Sequence, residues 1–256
     1  MEQLSTDSKL FVSSVEKTFL VIDAFSSGQQ YLSLNELTEL TGMNKSAVQR
    51  FTHSLEAIGY LLKDPKTKCY RLTPKVMDIA YNYLRSTPLI EIITPRLVDF
   101  RNTFGVTLNV SVLNGNDTVY ILRIPSHQQI HTATLVGRRV PAYCSAGGRS
   151  ILSKLPKEEY ERIIHSSELV NRTPYTLTDS KAILRRIKKI TQTGFDTNNQ
   201  ECIIGELVIA APVTNASGQP IAAVHIPVST RDWTEEKLID EMSNELLGLV
   251  QSIHHP

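Results

Sequence analysis

Five polar side chains at helical spacing, Lys45, Ser46, Gln49, Arg50 and His53, form the chemically most informative pattern in the chain. On a helix they share one face, while Val48, Phe51, Leu55 and Ile58 share the other and are expected to be buried. Arg, Lys, Gln and Ser pair with base edges or phosphates in the major groove of DNA, which is wide enough for one helix. Lys66 and Lys68 stand at the tip of a predicted hairpin with Arg71 on its return strand, a placement suited to phosphate or minor-groove contact. Residues 1–72 carry eight Lys/Arg and eight Asp/Glu, but residues 42–72 carry six cations against two carboxylates. The local surplus decides, because phosphate attraction is screened beyond roughly 10 Å at 0.1 M salt. The competing reading of the same module is a sensor or scaffold that docks another protein.

A second group lies further along. Ser145, Ala146, Gly147 and Gly148 follow Cys144 and open a predicted helix over residues 146–152. Backbone N–H groups at a helix start, with a serine hydroxyl beside them, favour an anion, and glycine lets a ligand approach the backbone. A carboxylate is the expected guest; tight packing of helix on sheet is the alternative use of the glycines. Arg123 and Arg138 are candidate carboxylate partners, since guanidinium pairs bidentately with carboxylates. Tyr143 and His225 offer aromatic or polar contact, and Asn198 can hydrogen-bond a ligand hydroxyl. His225 lies between Val224 and Ile226 in a predicted strand and so faces opposite to them, toward solvent or ligand.

Nucleophilic catalysis by Cys144 or Ser145 would need a positioned base and a third group. The sequence offers no Gly-x-Ser-x-Gly elbow, no Walker pattern and no dinucleotide fingerprint. His127 and His131 fall in a predicted loop and strand, where a spacing of four does not align them, and no cysteine lies near a histidine at zinc-site spacing. His254 and His255 end the chain. No enzyme activity, cofactor or metal is therefore expected.

The elements that must position these groups are legible. Ser33-Leu34-Asn35-Glu36 is a capping box that starts a helix carrying Leu34, Leu37 and Leu40. Gly42 breaks it, and Asn44 caps the next helix, residues 45–58, which Gly59 ends. A preceding helix over 11–25 carries Val15, Phe19 and Ile22 on a stripe, with Ser14 as its cap. Residues 60–72 form a hairpin with Pro65 in its tip. This gives a winged helix-turn-helix over residues 1–73. Residues 74–87 form a linking amphipathic helix with Tyr81 and Tyr83 available for packing. Residues 88–256 form the second domain, with helices over 89–104, 157–165, 179–192 and 234–253, strands over 106–113, 118–124, 206–213 and 220–228, and a further strand over 130–136. Adjacent hairpins with helices grouped between them indicate an α+β domain on an antiparallel sheet.

Length and composition fit two such domains. The chain has 256 residues, 41% hydrophobic and 21% charged, with a formal net charge of +1. Three scattered cysteines, Cys69, Cys144 and Cys202, argue for a reducing compartment. No apolar run reaches the ~18 residues of a membrane span, and the polar start lacks the pattern of a signal peptide. The expected location is the cytoplasm, with no membrane partner.

Over nearly its whole length the chain resembles an IclR-type bacterial transcriptional regulator. The N-terminal module carries that resemblance, together with Gly137-Arg138-Arg139-Val140-Pro141-Ala142-Tyr143, Ser145-Ala146-Gly147-Gly148-Arg149, Gly194-Phe195 leading to Gln200-Glu201, and Ile209-Ala210-Ala211-Pro212-Val213 with Gly218. The resemblance implies a winged-helix DNA reader joined by a helix to a GAF-like effector domain. It also implies a dimer or tetramer on palindromic or repeated operator sites, controlled by a small organic molecule. Phe11-Val12-Ser13-Ser14, Tyr120-Ile121-Leu122-Arg123-Ile124-Pro125 and Arg138-Arg139-Val140-Pro141-Ala142-Tyr143 are similar to the branch that senses aromatic acids such as 4-hydroxybenzoate and protocatechuate or their breakdown products. The chain departs from the family pattern at Asn198, usually Asp or Ser, at Val208, usually small or Cys, and at Thr214, usually aromatic or His. In glyoxylate- and pyruvate-binding relatives the first two positions contact the ligand, so a small keto acid is not carried over.

Overall fold

The computed structural model describes residues 8–126 and 135–253. The chain divides between Tyr83 and Leu84 into two compact units.

In the first unit, α1 (Ser13–Asp23) runs into a 3₁₀ turn at Ala24–Ser27. It is followed by α2 (Leu34–Thr41), α3 (Lys45–Ala57), β1 (Leu61–Lys63) and β2 (Tyr70–Leu72). The capping box forms in both directions: Ser33 N donates to Glu36 Oε2 at 2.7 Å and Glu36 N to Ser33 Oγ at 3.3 Å. Hydrogen bonds from the Ser33 side chain and backbone hold the Glu36 carboxyl below its usual range. Gly42 takes φ 67°, which an L side chain resists, and Asn44 Oδ1 then accepts from Ala47 N at 2.8 Å to start α3. These two caps fix the angle between α2 and α3. The strands pair antiparallel with Leu61 opposite Leu72. Leu32 and Tyr70 exchange backbone hydrogen bonds of 2.9 and 2.8 Å, tying the wing to the segment before α2.

Several expected burials shift. Val21, Phe25, Leu32, Leu37, Val48, Leu55, Leu61 and Tyr70 make the core of this unit. Ile58 is 54% exposed, because it caps α3 where the chain turns away at Gly59. Thr52 is buried in its place, and its hydroxyl donates to the Gln49 carbonyl. Leu40 on α2 and Val15 and Phe19 on α1 are exposed, so of the apolar stripe predicted on α1 it is Ile22 that packs against the core, beside the buried Val21. Ser14 does not cap α1, which starts one residue earlier with Val12 at the cap position and no side-chain bond. Helix α4 (Val76–Arg85) spans the division between the units and leaves Met77, Ile79, Tyr81 and Tyr83 exposed.

The second unit is a three-layer sandwich. Its six-stranded antiparallel sheet has the order β5-β4-β3-β8-β7-β6, with β3 (Leu108–Asn114), β4 (Asp117–Ile124), β5 (Arg139–Pro141), β6 (Asp196–Asn199), β7 (Glu206–Thr214) and β8 (Pro220–Ser229). One face packs on α5 (Pro88–Phe104) and α9 (Glu235–Ser252). The other carries α6 (Ala146–Leu152), α7 (Lys157–Ser166) and α8 (Ser180–Thr193). Alternation decides which residue faces which layer. On β7, Leu207, Ile209, Ala211 and Val213 join the α5/α9 core, while Val208 and Ala210 meet Ala146 of α6. The strand expected over 130–136 falls mainly outside the described residues; 135–137 approach a turn at Gly137, φ 89°. His127, His131, His254 and His255 also lie outside them. The short β5 and β6 were not expected.

Candidate nucleic-acid interface and effector cavity

Helix α3 exposes Lys45, Ser46, Gln49, Arg50 and His53 together, with Val48, Thr52 and Leu55 turned inward. The wing tip exposes Lys66 and Lys68, and Arg71 is half-buried on β2. Asp64 shapes that tip: its Oδ1 accepts from Lys66 N at 2.8 Å and Thr67 N at 2.7 Å. Those backbone bonds hold the Asp64 carboxyl below its usual range and turn the chain so that Lys68 adopts φ 61°. Lys63 leans over the Tyr70 ring at 5.1 Å, so this cation is engaged within the hairpin.

In the second unit a narrow slit opens beside the start of α6, lined by Tyr120, Arg138, Val140, Ser145, Ala146, Asn198, Cys202, Glu206, Val208 and His225. The structure thus brings five of the nine expected effector residues to one cavity: Arg138, Ser145, Ala146, Asn198 and His225. Four are placed elsewhere. Arg123 is half-buried on β4, paired in register with Asn109. Tyr143 is fully buried, and its hydroxyl donates to Val170 O at 2.7 Å and accepts from Val170 N at 3.1 Å, locking the loop after α7. A Cβ on Gly147 would fall 2.0 Å from His225 Cε1, and one on Gly148 would fall 2.5 Å from the Ala142 backbone. Gly147 allows the close approach of helix to sheet and Gly148 that of the helix to the turn at Ala142, and neither lines the cavity.

The cavity's polar groups are mostly engaged with one another. His225 is buried between β3 and α6, and its Nε2 lies 2.7 Å from Ser111 Oγ. The strand alternation is as expected, but the face opposite Val224 is a second buried layer, not solvent. Burial drives the His225 pKa down to about 3, so the ring is neutral at physiological pH. Tyr120 packs against it with ring centroids 5.1 Å apart, and burial raises that phenol, keeping it neutral too. Asn198 donates to the Cys144 carbonyl and accepts from Glu201 N at 2.9 Å. Ser145 Oγ accepts from Gly148 N at 3.0 Å, capping α6. Among the described residues no histidine base is bonded to Ser145 or Cys144: His225 is bonded to Ser111, while the Cys202 contact and burial both raise the Cys144 thiol.

Beneath the cavity lies an ion network that sequence reasoning missed. Arg149 is fully buried and uses every donor direction: Asp196 at 2.6 Å, Glu201 at 2.7 and 3.0 Å, Tyr143 O at 3.0 Å and Thr197 O at 2.9 Å. Burial by itself would lower the Arg149 pKa; Asp196 and Glu201 outweigh it and raise the value. Arg186 of α8 adds a second cation to Asp196 at 2.8 Å. The network joins α6, α8, β6 and the β6–β7 loop, so it fixes one wall of the cavity. Glu201 was visible only as part of a motif, without a partner. Asn109 was also missed. Its Oδ1 is the buried side-chain oxygen with no hydrogen-bond partner among the described residues, on the same sheet face as His225 and in register with it.

An exposed polar recognition-type helix with a wing, followed by a sandwich that holds a small cavity between helix and sheet, defines a ligand-responsive DNA-binding protein. Residues 14–65 match the IclR helix-turn-helix domain, and residues 81–255 match the family described as bacterial transcriptional regulator IclR C-terminal. The chain belongs to the IclR family of transcriptional regulators, which are not enzymes. It is 30% identical over 246 residues to the Pca regulon regulatory protein of Pseudomonas putida, covering 96% of this chain and 84% of that one. The crystal structure of Thermotoga maritima IclR aligns with a TM-score of 0.69 at 29% identity, covering 94% of this chain and 97% of that one. An IclR homolog of Microbacterium hydrocarbonoxydans, crystallised with 4-hydroxybenzoate, shares the fold with a TM-score of 0.73 at 18% identity, over 94% and 97% of the two chains.

Proposed function

We propose that α3 enters the major groove of a double-stranded operator. Lys45, Ser46, Gln49, Arg50 and His53 would contact bases and phosphates, and Lys66, Lys68 and Arg71 would hold the flanking backbone. The observation that carries this is the solvent-open polar face of α3, held by two capped helix starts. The same face could not be read as a docking surface for an apolar protein partner, because its side chains are polar or charged throughout. DNA binding sets the cytoplasm as the working compartment.

For the effector we infer an organic carboxylic acid, aromatic in preference to a small keto acid, seated in the cavity between α6 and the sheet. Arg138 supplies the positive charge, Tyr120 and His225 supply neutral aromatic surface, and Val140, Ala146 and Val208 supply apolar walls. The complex of a structural relative with 4-hydroxybenzoate supports the ligand class. The slit has room for about one water molecule, so binding must part its walls. That requirement suits a regulator, since a ligand shifts a population only if it prefers one conformation.

The unit of function we propose is a homo-oligomer, a dimer or a tetramer. Helix α1 leaves Val15, Phe19 and Leu20 in solvent, and α4 leaves Met77, Ile79, Tyr81 and Tyr83 there. A second copy of the chain covers such faces at the lowest cost in new sequence, and its two-fold symmetry matches two half-sites. Electrophoretic mobility shifts on the DNA upstream of the chain's own gene, with and without aromatic acids, test the reading. A retarded band whose midpoint moves with one acid supports it; no retardation at any protein concentration with specific or nonspecific DNA contradicts it.

A further inference from the structure

Cys144 and Cys202 are 58 residues apart in sequence, yet their sulfurs lie 3.6 Å apart, unbonded. Cys144 closes the turn ahead of α6, and Cys202 lies partly buried in the β6–β7 loop, where it lines the cavity. Asn198 holds the two together: its Nδ2 donates to the Cys144 carbonyl and, at 3.4 Å, to Cys202 Sγ. Cys202 Sγ is also 3.2 Å from the Cys144 carbonyl. We propose that this pair is a redox modification site that takes hydroperoxides and closes to a reversible disulfide across the cavity wall.

The two sulfurs already touch, and a bond needs them about 2.05 Å apart. The residues divide the work. The hydrogen bond shared with Cys144, then that from Asn198, hold the Cys202 thiol below its usual value, while that contact with Cys202 and burial raise Cys144. The Cys202 thiolate attacks one peroxide oxygen, the O–O bond breaks, and the leaving hydroxide takes a proton to become water. Cys202 is then a sulfenic acid. The Cys144 sulfur attacks it, the S–S bond forms, the S–O bond breaks, and the departing hydroxide carries away the Cys144 proton as a second water. Two thiols are oxidised and hydrogen peroxide is reduced to two waters; a dithiol reverses the bond by exchange. A disulfide formed in a reducing compartment is ordinarily transient and redox-sensing.

The bond would tie the leading turn of α6 to the β6–β7 loop, the two segments that bear Ser145 and Cys202 on the cavity wall. Its consequence for ligand binding rests on the effector reading above; the thiol chemistry does not. Cys69 serves as an internal control, since its thiol sits on the wing and contacts the Thr67 carbonyl at 3.7 Å.

The test treats the full-length reduced protein with hydrogen peroxide, denatures it in N-ethylmaleimide and maps the peptides. The expected result is a fall in alkylatable thiols from three to one, a peptide linking Cys144 to Cys202 within one chain, and recovery of all three with dithiothreitol. Cys69→Ser should leave that link unchanged, and Cys144→Ser should leave a sulfenic acid on Cys202 that dimedone traps. Three alkylatable thiols after treatment, or linkage through Cys69 with no Cys144–Cys202 peptide, would overturn the proposal. So would trapping of the sulfenic acid on Cys144 in Cys202→Ser at a rate equal to that of Cys202 in Cys144→Ser.

Discussion

His225 lies directly over Gly147, its imidazole filling the space where any side chain on that residue would stand. The same ring reaches Ser111 Oγ at 2.7 Å, so one histidine joins β3, β8 and α6. Helix α6 can sit this close to the sheet only because Gly147 lacks a side chain. The effector cavity opens at the edge of that contact.

Gly147→Ala should therefore displace the ring and lower the stability of the second unit by about 1–3 kcal/mol, the usual cost of overpacking. Urea denaturation checks it. Gly147→Ala combined with His225→Ala should cost less than the sum of the two single changes, because they share one contact. Strict additivity would mean the contact does not exist.

Acidification should weaken the fold through His225. Its folded pKa, about 3, lies below the ordinary value of 6.5, so the unfolded chain binds the proton more readily. The stability from this group is complete above about pH 6.5 and is lost as pH falls toward 3, by at most about 1.4 kcal/mol per pH unit. His225→Gln should flatten the pH dependence of unfolding over pH 4–6.5 relative to the wild-type chain. An unaltered slope would show that the ring is not the titrating group.

Removing the buried Arg149 charge with Arg149→Met should leave Asp196 and Glu201 facing Arg186 alone and destabilise the second unit by about 3–5 kcal/mol. Thermal unfolding reads the loss, and the first unit, followed by its own DNA binding at low temperature, should be spared. A change below 1 kcal/mol, on the order of an exposed pair, would contradict the burial seen here.

Lys66→Ala should weaken binding to all DNA sequences alike and reduce the slope of log K against log salt by about one. A sequence-selective loss with the slope intact would place Lys66 at a base edge.

Helix-turn-helix geometry was legible because it is local: Ser33, Glu36, Gly42 and Asn44 lie within a few residues of the groups they cap. The antiparallel sheet was legible from alternation along β3, β4, β7 and β8. Burial on α1 was misread because Val15 and Phe19 have the right spacing for a core stripe, and spacing does not say whether the covering surface belongs to the same chain. The cavity was half legible. Arg138, Ser145, Asn198 and Val208 come together through motifs, but Tyr120 and Glu206 meet them only through strand register. The Arg149 network was hidden because its partners lie 47 and 52 residues away, and no short-range pattern records such a pairing. Strands β5 and β6, of three and four residues, are too short for alternation to mark them.

The central claim is that the exposed face of α3 reads DNA, and Arg50 is its most direct probe. Affinities of the wild-type chain and Arg50→Ala should be measured for the operator and for a scrambled duplex at one fixed salt concentration. If Arg50 pairs with a guanine, operator binding should weaken by about 1–3 kcal/mol while scrambled binding changes much less. An Arg50→Ala chain that keeps both its operator affinity and its preference over the scrambled duplex would contradict the account.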